Sequence, residues 1–148
     1  MTVRVQAEPF DPGAELNAFL TKSAGSGAAV SFTGVVRSLP DDPITALTLE
    51  CYVELALNQL EAIVAQASTR FDLLDTLVIH RFGRMLPGEP IMQVMTLASH
   101  RQAAFDGAQF LMDYLKTDAP FWKQETTPDG TRWVEAKDAD DAAKARWE

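Results

Sequence analysis

The sequence predicts an α+β fold, in which helices and strands share one domain without alternating strictly along the chain. Three observations support this prediction. Two long segments place apolar residues at helical spacing, several shorter segments are β-branched or alternate in polarity as strands do, and short polar turns join some neighbouring strands. Such turns favour antiparallel pairing, so we expect a largely antiparallel sheet with flanking helices.

The first half of the chain is predicted to contain two helices and three strands. Asp11 is the expected N-cap of a helix over Pro12–Leu20, because proline suits the first helical position. A longer helix over Glu54–Phe71 has an apolar stripe. The polar turn Ser38–Pro43 predicts that the strands on either side of it pair with each other. The predicted strands are Val3–Ala7, Ala28–Arg37 and Ile44–Val53.

The second half is predicted to contain a second strong helix over Gln102–Thr117 and a short final helix over Asp138–Trp147. Pro128–Gly130 has the composition of a hairpin turn, which predicts pairing between the strands that flank it. The predicted strands are Asp75–Phe82, Ile91–Ala98, Phe121–Thr127 and Thr131–Ala136.

Length, composition and charge limit the class of protein. The 148 residues suit one domain over residues 1–148, and a formal net charge of −8 argues against nucleic acid or an anionic membrane as the main partner. No apolar run approaches the roughly 20 residues of a membrane span, and Met1–Gln6 lacks the apolar segment of a signal peptide. Cys51 is the single cysteine, so no intramolecular disulfide is possible. We therefore expect a cytoplasmic protein.

Basic residues gather in the stretch Ser99–Glu125 of this acidic chain. Ser99 is a candidate N-cap, which would place His100 and Arg101 beside the free N–H groups of a helix start, a favourable position for phosphate or carboxylate. A pair of solvated side chains explains the same pattern equally well, because a basic pair at a helix start is a weak motif.

Lys116 and Lys123 lie on either side of Pro120, which ends the helix. Aromatic neighbours could desolvate two such lysines and lower their pKa values, which would suit them to acid–base or nucleophilic chemistry. The alternative is a lysine at a helix C-terminus and another on an exposed edge strand. Arg37 ends a strand in which Gly34 permits close approach of a ligand, although a solvated arginine is equally possible there.

Other motifs of reactive sites are missing from the sequence. The two histidines and one cysteine lie at unrelated positions, which argues against a zinc site. His80 lies within a predicted strand, where a structural role is the more common one. Cys51 lies on the same strand face as Leu47 and Leu49, which favours a buried, unreactive thiol. No phosphate-binding glycine loop or nucleophile elbow occurs.

Taken together and in this order, six segments resemble the large catalytic subunit of molybdopterin synthase, the MoaE family. The resemblance extends from about Pro9 to Trp147, and its most specific elements are the paired S-H-R and P-x-W-K-x-E patterns. The six segments are Ser31–Arg37, Leu47–Tyr52, Val78–Arg81, Ser99–Arg101, Met112–Lys116 and Ala119–Glu125.

The resemblance implies an α/β hammerhead fold and a homodimer that binds two copies of a small ubiquitin-like sulfur-carrier subunit, giving a heterotetramer. The carrier's C-terminal Gly-Gly tail, activated as a thiocarboxylate, would enter a pocket. Two sulfur transfers would convert cyclic pyranopterin monophosphate to the dithiolene of molybdopterin. The family implies no metal and no cofactor for this step.

The resemblance also assigns roles to individual residues. Lys116 and Lys123 are the implied catalytic residues, with Lys116 nearest the carrier tail. Arg37, His100 and Arg101 would hold the substrate, the last two from the same or the neighbouring protomer, and Glu125 would orient a lysine. The implied substrate-binding residues are Phe32, Val35, Val36, Arg37, His100, Arg101, Met112, Lys116, Lys123, Gln124 and Glu125.

Two departures from the family pattern stand out. The turn Ser38–Pro43 is shorter and more acidic than the usual asparagine-rich loop, and Lys137 occupies a position where another basic residue is common. A second hypothesis is a non-catalytic module that binds a ubiquitin-like protein or an anionic metabolite. The presence of both Lys116 and Lys123 favours the sulfurtransferase, because a docking surface needs no reactive lysine.

Overall fold

The computed structural model describes residues 1–22, 25–134 and 138–148. The predicted extension of the last strand over 135–136, and Lys137, lie outside the described residues. In chain order the elements are β1 Thr2–Gln6, α1 Pro12–Leu20, β2 Ala28–Val35, β3 Ala46–Glu50, α2 Val53–Phe71, β4 Asp75–Arg81, β5 Gly83–Met85, β6 Pro90–Ala98, α3 Arg101–Leu115, β7 Trp122–Thr127, β8 Gly130–Val134 and α4 Asp138–Ala145.

The first sheet has the strand order β1-β4-β6-β2, and its middle strand β6 is covered on both faces. Met92 and Val94 face α2 and α3 in the main core, whereas Met95 and Leu97 pack with Phe19 of α1 on the opposite face. This explains why every residue from Met92 to Ala98 is buried, rather than every second one. The β1–β4 pair is parallel and the other two pairs are antiparallel.

The second sheet has the order β5-β3-β7-β8 and is antiparallel throughout. The predicted class, α+β with largely antiparallel pairing, is confirmed. The predicted pairing across the turn Ser38–Pro43 is wrong, because β2 pairs with β6 and β3 pairs with β5 and β7. An irregularity between Gly34 and Val35 ends β2, and the chain then crosses to the other sheet. The three-residue β5 was not predicted, since it is too short to show a period.

The helix starts follow local chemistry in one case and packing in another. The N–H groups of Gly13 and Ala14 donate to Asp11 Oδ1 at 3.0 and 3.2 Å, which confirms the predicted cap of α1. The predicted Ser99 cap is wrong: His100 is the N-cap residue of α3 and its side chain makes no capping bond. The chain before β2 passes close to the start of α3 instead. A Cβ atom on Gly27 would lie 2.2 Å from the Ser99 carbonyl oxygen, so only glycine fits there.

The C-terminal helix is held against α3 by one buried carboxylate. Asp113 Oδ2 accepts from Trp147 Nε1 at 2.6 Å and from Arg146 Nη2 at 3.1 Å, and Gln109 Nε2 donates to Oδ1 at 2.8 Å. These bonds fix α4 beside the last turns of α3, next to the cavity described below. No helix among the described residues is long and apolar enough to cross a membrane.

Candidate functional site

A cavity of about 760 Å³ opens where the two sheets meet the C-terminal end of α3. The end of β2 and the following loop form one side, β3 and β7 form another, and the last turn of α3 closes the third. Eight of the eleven predicted substrate-binding residues line this cavity, so separate segments of the sequence meet at one place. They are Phe32, Val35, Val36, Arg37, Met112, Lys116, Lys123 and Glu125.

The other three predicted binding residues lie outside the cavity. Gln124 lies between Lys123 and Glu125 on β7, so strand alternation turns it to the opposite face of the sheet. His100 and Arg101 lie at the start of α3, about 22 Å along the helix axis from Lys116 at 1.5 Å per residue. Within one chain, His100 and Arg101 therefore cannot contact the same small ligand as Lys116.

Lys116 lies at the cavity because α3 ends there. It is the C-cap residue, and its N–H donates to the Met112 carbonyl at 3.0 Å. Met112 therefore lies one turn before Lys116 on the same side of the helix, and both line the cavity. The Lys116 side chain is exposed to solvent, and no ion pair to it occurs within the described part of the chain.

Lys123 reaches the cavity from β7. It is half-buried and lies opposite Leu49 of β3 in the antiparallel register. Glu125 follows two residues later and therefore lies on the same strand face. The wall between these two charged residues is apolar, because Leu47 and Leu49 of β3 are both buried and both line the cavity.

Glu125 pairs with an arginine that sequence analysis did not single out. Arg132 Nε donates to Glu125 Oε1 at 2.9 Å, and Arg132 Nη2 donates to Asp42 Oδ2 at 2.9 Å. One exposed guanidinium on β8 thus connects β7 to the acidic loop after β2. The role implied for Glu125, orienting a lysine, remains a prediction.

His80 is also part of the cavity wall, which the sequence did not indicate. It is buried, its ring stacks on Phe121 at 3.8 Å between centroids, and its Nδ1 lies 2.9 Å from the Arg81 carbonyl oxygen. The pKa of His80 is lowered to about 4, first by burial and then by the charges of Lys123 and Lys116, although the hydrogen bond at Arg81 acts in the opposite direction. The available signal was alternation along β4, which puts His80 on the same face as the core residue Val78.

Cys51 does not lie within a strand, as the sequence suggested, but in the connection between β3 and α2. Its side chain is half-buried, and burial raises the pKa of the thiol. A thiol with a raised pKa is a weak nucleophile at neutral pH, which is consistent with the predicted unreactive role. Among the residues that the structure describes, no group of three or more potential ligands could hold a metal ion.

The arrangement suits a small anionic ligand with an apolar or aromatic body. Arg37, Lys116 and Lys123 provide positive charge at one cavity of a chain with a net charge of −8. Two of the lining carboxylates, Asp42 and Glu125, are engaged by Arg132. Charge-assisted hydrogen bonds from such donors contribute about 1.5–3 kcal/mol each to binding.

Comparison with known proteins identifies relatives over the whole chain. The family model described as "MoaE protein" matches residues 5–118. The molybdopterin synthase catalytic subunit of Cereibacter sphaeroides is 52% identical over 147 residues, which is 99% of this chain and 100% of that protein. The family match includes α3 but ends before β7, whereas the match to the Cereibacter protein extends over nearly the whole chain.

Solved structures agree with this similarity. The MoaE protein of Burkholderia ambifaria MC40-6 superposes with a TM-score of 0.83 at 48% identity, covering 99% of this chain and 97% of that one. A complex of subunits 1 and 2 of the molybdopterin-converting factor from Helicobacter pylori 26695 matches with a TM-score of 0.75 at 20% identity, covering 92% and 90% of the two chains, and supports the fold alone.

Proposed function

The chain belongs to the MoaE protein family, and on that premise we propose that it is the catalytic subunit of a molybdopterin synthase. The proposed reaction transfers sulfur from the C-terminal thiocarboxylate of a small ubiquitin-like carrier to cyclic pyranopterin monophosphate. Two such transfers produce the dithiolene of molybdopterin. The proposed class is therefore a sulfurtransferase of molybdenum cofactor biosynthesis. We place it in the cytoplasm, because a chain with one cysteine and no intramolecular disulfide suits a reducing compartment.

The meeting of Lys116 and Lys123 at one cavity is the observation that supports this proposal most directly. The two lysines come from different elements, the end of α3 and the start of β7, and both line the same cavity as Arg37. A surface that only docks a partner does not require two ammonium groups at a partly apolar cavity. A reaction that generates negative charge on sulfur and oxygen does require them.

We assign the steps by the position of each group. Arg37, an exposed residue of the loop after β2, binds the phosphate of the substrate. Lys116 is exposed at the end of α3, where the narrow Gly-Gly tail of a carrier enters, and it supports the transfer from the thiocarboxylate. Lys123 is more buried and stabilises the developing negative charge or relays a proton.

The distance between the two ends of α3 supports a homodimer in which each site contains residues of both chains. His100 and Arg101 cannot join Lys116 in the same chain, because α3 holds them about 22 Å apart. Phe105 lies one turn after Arg101 and is 58% exposed, as an interface residue of a dimer would be in the isolated chain. We infer that His100 and Arg101 complete the cavity of the neighbouring protomer, and that two carriers bind to give a heterotetramer.

A Lys116→Ala variant tests the proposed reaction. With purified thiocarboxylated carrier and cyclic pyranopterin monophosphate, we expect product formation to fall by about 100-fold or more, because a group that acts in the transition state is lost. The matched control is Lys22→Ala, which removes an exposed lysine just after α1, on the far face of the first sheet.

The outcomes separate the two hypotheses. Loss of activity in Lys116→Ala with an unchanged circular dichroism spectrum supports the sulfurtransferase. Full activity in that variant contradicts the role of Lys116. A wild-type chain that binds the carrier but transfers no sulfur supports the non-catalytic module instead.

A further inference from the structure

The wall of the cavity contains one neutral ring nitrogen for which the proposed reaction has no role. His80, near the end of β4, has 7% of its surface exposed and is one of the residues that line the cavity. The ring is held on two sides. Phe121 stacks against its face with an interplanar angle of 12°, and the Arg81 carbonyl lies at hydrogen-bond distance from Nδ1. These contacts fix the direction in which the other nitrogen points.

The contact at Arg81 determines which ring nitrogen has the proton. A carbonyl oxygen only accepts hydrogen bonds, so Nδ1 must be the protonated donor at 2.9 Å. In a neutral imidazole the remaining nitrogen, Nε2, then has a free lone pair and accepts. None of the hydrogen bonds found among the described residues involves Nε2, and it is not among the fully buried polar atoms that lack a partner.

Burial keeps the His80 ring neutral. The ammonium groups of Lys123 and Lys116 act through space in the same direction, whereas the hydrogen bond at Arg81 acts against them. The other charged groups that line the cavity, from the elements packed around it, are Arg37, Asp42, Glu125 and Asp140. Arg132 already pairs with Asp42 and Glu125. His80 therefore differs from these charged groups as an uncharged hydrogen-bond acceptor.

We propose that His80 is a substrate-binding residue whose Nε2 accepts a hydrogen bond from an N–H group of the substrate's heterocyclic ring. This inference rests on the proposed function, which supplies a pterin as the ligand. The cationic side chains at the cavity recognise the anionic part of the substrate, and any phosphate would satisfy them. The fixed acceptor at His80 selects a ring with N–H donors, and so distinguishes a pterin from a simple anion.

Binding of cyclic pyranopterin monophosphate to the purified chain, measured without carrier, tests this proposal. In His80→Phe an aromatic ring remains to stack on Phe121, but the acceptor is lost and the substrate donor is left unpaired. We expect its affinity for the pterin to fall about tenfold while its affinity for inorganic phosphate stays the same. His80→Gln places an amide oxygen near the position of Nε2 and should recover part of the pterin affinity, whereas the shorter His80→Asn should not.

Several results would overturn the assignment. They are pterin affinity in His80→Phe within twofold of wild type, an equal loss of phosphate affinity, and equal losses in the Gln and Asn variants, which would indicate a purely structural role. A wild-type chain that binds no pterin at all would contradict the proposed function itself, and this inference with it.

A second measurement needs no ligand. Nitrogen-15 NMR of the two histidines, with His100→Gln used to assign the signals, should show His80 as the neutral Nδ1–H form at pH 7. A protonated ring at that pH, or the Nε2–H form, would remove the acceptor and contradict the proposal.

Discussion

At the scale of single residues, Lys116 shows how a core-facing helix stripe becomes a binding wall. Leu111 and Leu115 are buried under the first sheet, and Met112 packs at the edge of the same core. The next position on that side is a lysine, placed where the helix ends and solvent begins. One charged residue at the end of an apolar stripe therefore marks the boundary between core and cavity.

His80 makes a residue-scale prediction about stability and pH. Its pKa is about 4 in the folded chain and near 6.5 when unfolded, so the unfolded state binds the proton more tightly. The contribution of His80 to stability is therefore complete above pH 6.5 and is lost as the pH falls towards 4. Between pH 7 and pH 4.5, we expect wild type to lose about 2 kcal/mol more free energy of unfolding than His80→Phe does.

Urea denaturation at the two pH values measures this difference. His100→Gln is the control, because His100 is exposed and its variant should follow wild type. Equal losses in wild type and His80→Phe would contradict a neutral buried histidine.

The sequence was sufficient to predict which basic side chains line the cavity. Lys116, Lys123 and Arg37 were expected at one pocket from motif resemblance, and all three line the cavity. His80 was not, because burial and a stacked partner far along the chain, Phe121, decide its protonation. Gln124 was placed with the substrate although strand alternation turns it away.

At the scale of elements, α4 is held by Lys144, which pairs with Asp118, and by Arg146 and Trp147 just after the helix, which bond to Asp113. The Trp147 indole contacts Phe71 and Phe110 edge to face, at 5.6 and 5.7 Å between centroids, and its N–H donates to buried Asp113. The helix that contributes Asp140 to the cavity thus depends on the last residues of the chain.

Replacing the indole tests this dependence. Trp147→Phe keeps an aromatic ring but loses the donor to a carboxylate, so we expect the free energy of unfolding to fall by about 2 kcal/mol. Chemical denaturation measures it. Trp133→Phe is the matched control, since Trp133 is 58% exposed and should change stability little. An equal effect of the two substitutions would show that the Asp113 bond contributes nothing.

Elements were easier to predict than their pairing. The cap of α1, the apolar stripe of α2 and the β7–β8 hairpin follow from local sequence, and all three are present. The partner of β2 is β6, more than 50 residues away, and nothing in the turn after β2 indicates it. Packing of the long, buried β6 between helices on both faces of the sheet determines that choice.

At the scale of the whole molecule, the proposed homodimer would combine parts of two chains in each site. This predicts that two inactive variants complement each other when mixed. A Lys116→Ala chain retains the start of α3, and an Arg101→Ala chain retains the cavity lysines. In a mixed dimer, one of the two sites then combines intact parts of both chains.

Random mixing of equal amounts makes about half of the dimers mixed, so about a quarter of wild-type activity should return. Denaturing and refolding the two variants together, followed by a product assay, measures this. Each variant refolded alone is the control. No recovery in the mixture, with mixed dimers confirmed by differently tagged chains, would mean that each protomer works alone.

Mass spectrometry of the carrier during the reaction tests the proposed sulfur transfer most directly. Incubated with the wild-type chain and cyclic pyranopterin monophosphate, the thiocarboxylated carrier should exchange its terminal sulfur for oxygen, with two carriers consumed per molybdopterin formed. With Lys116→Ala, the carrier should keep its sulfur. A carrier that stays thiocarboxylated in the presence of the wild-type chain and substrate would contradict the account.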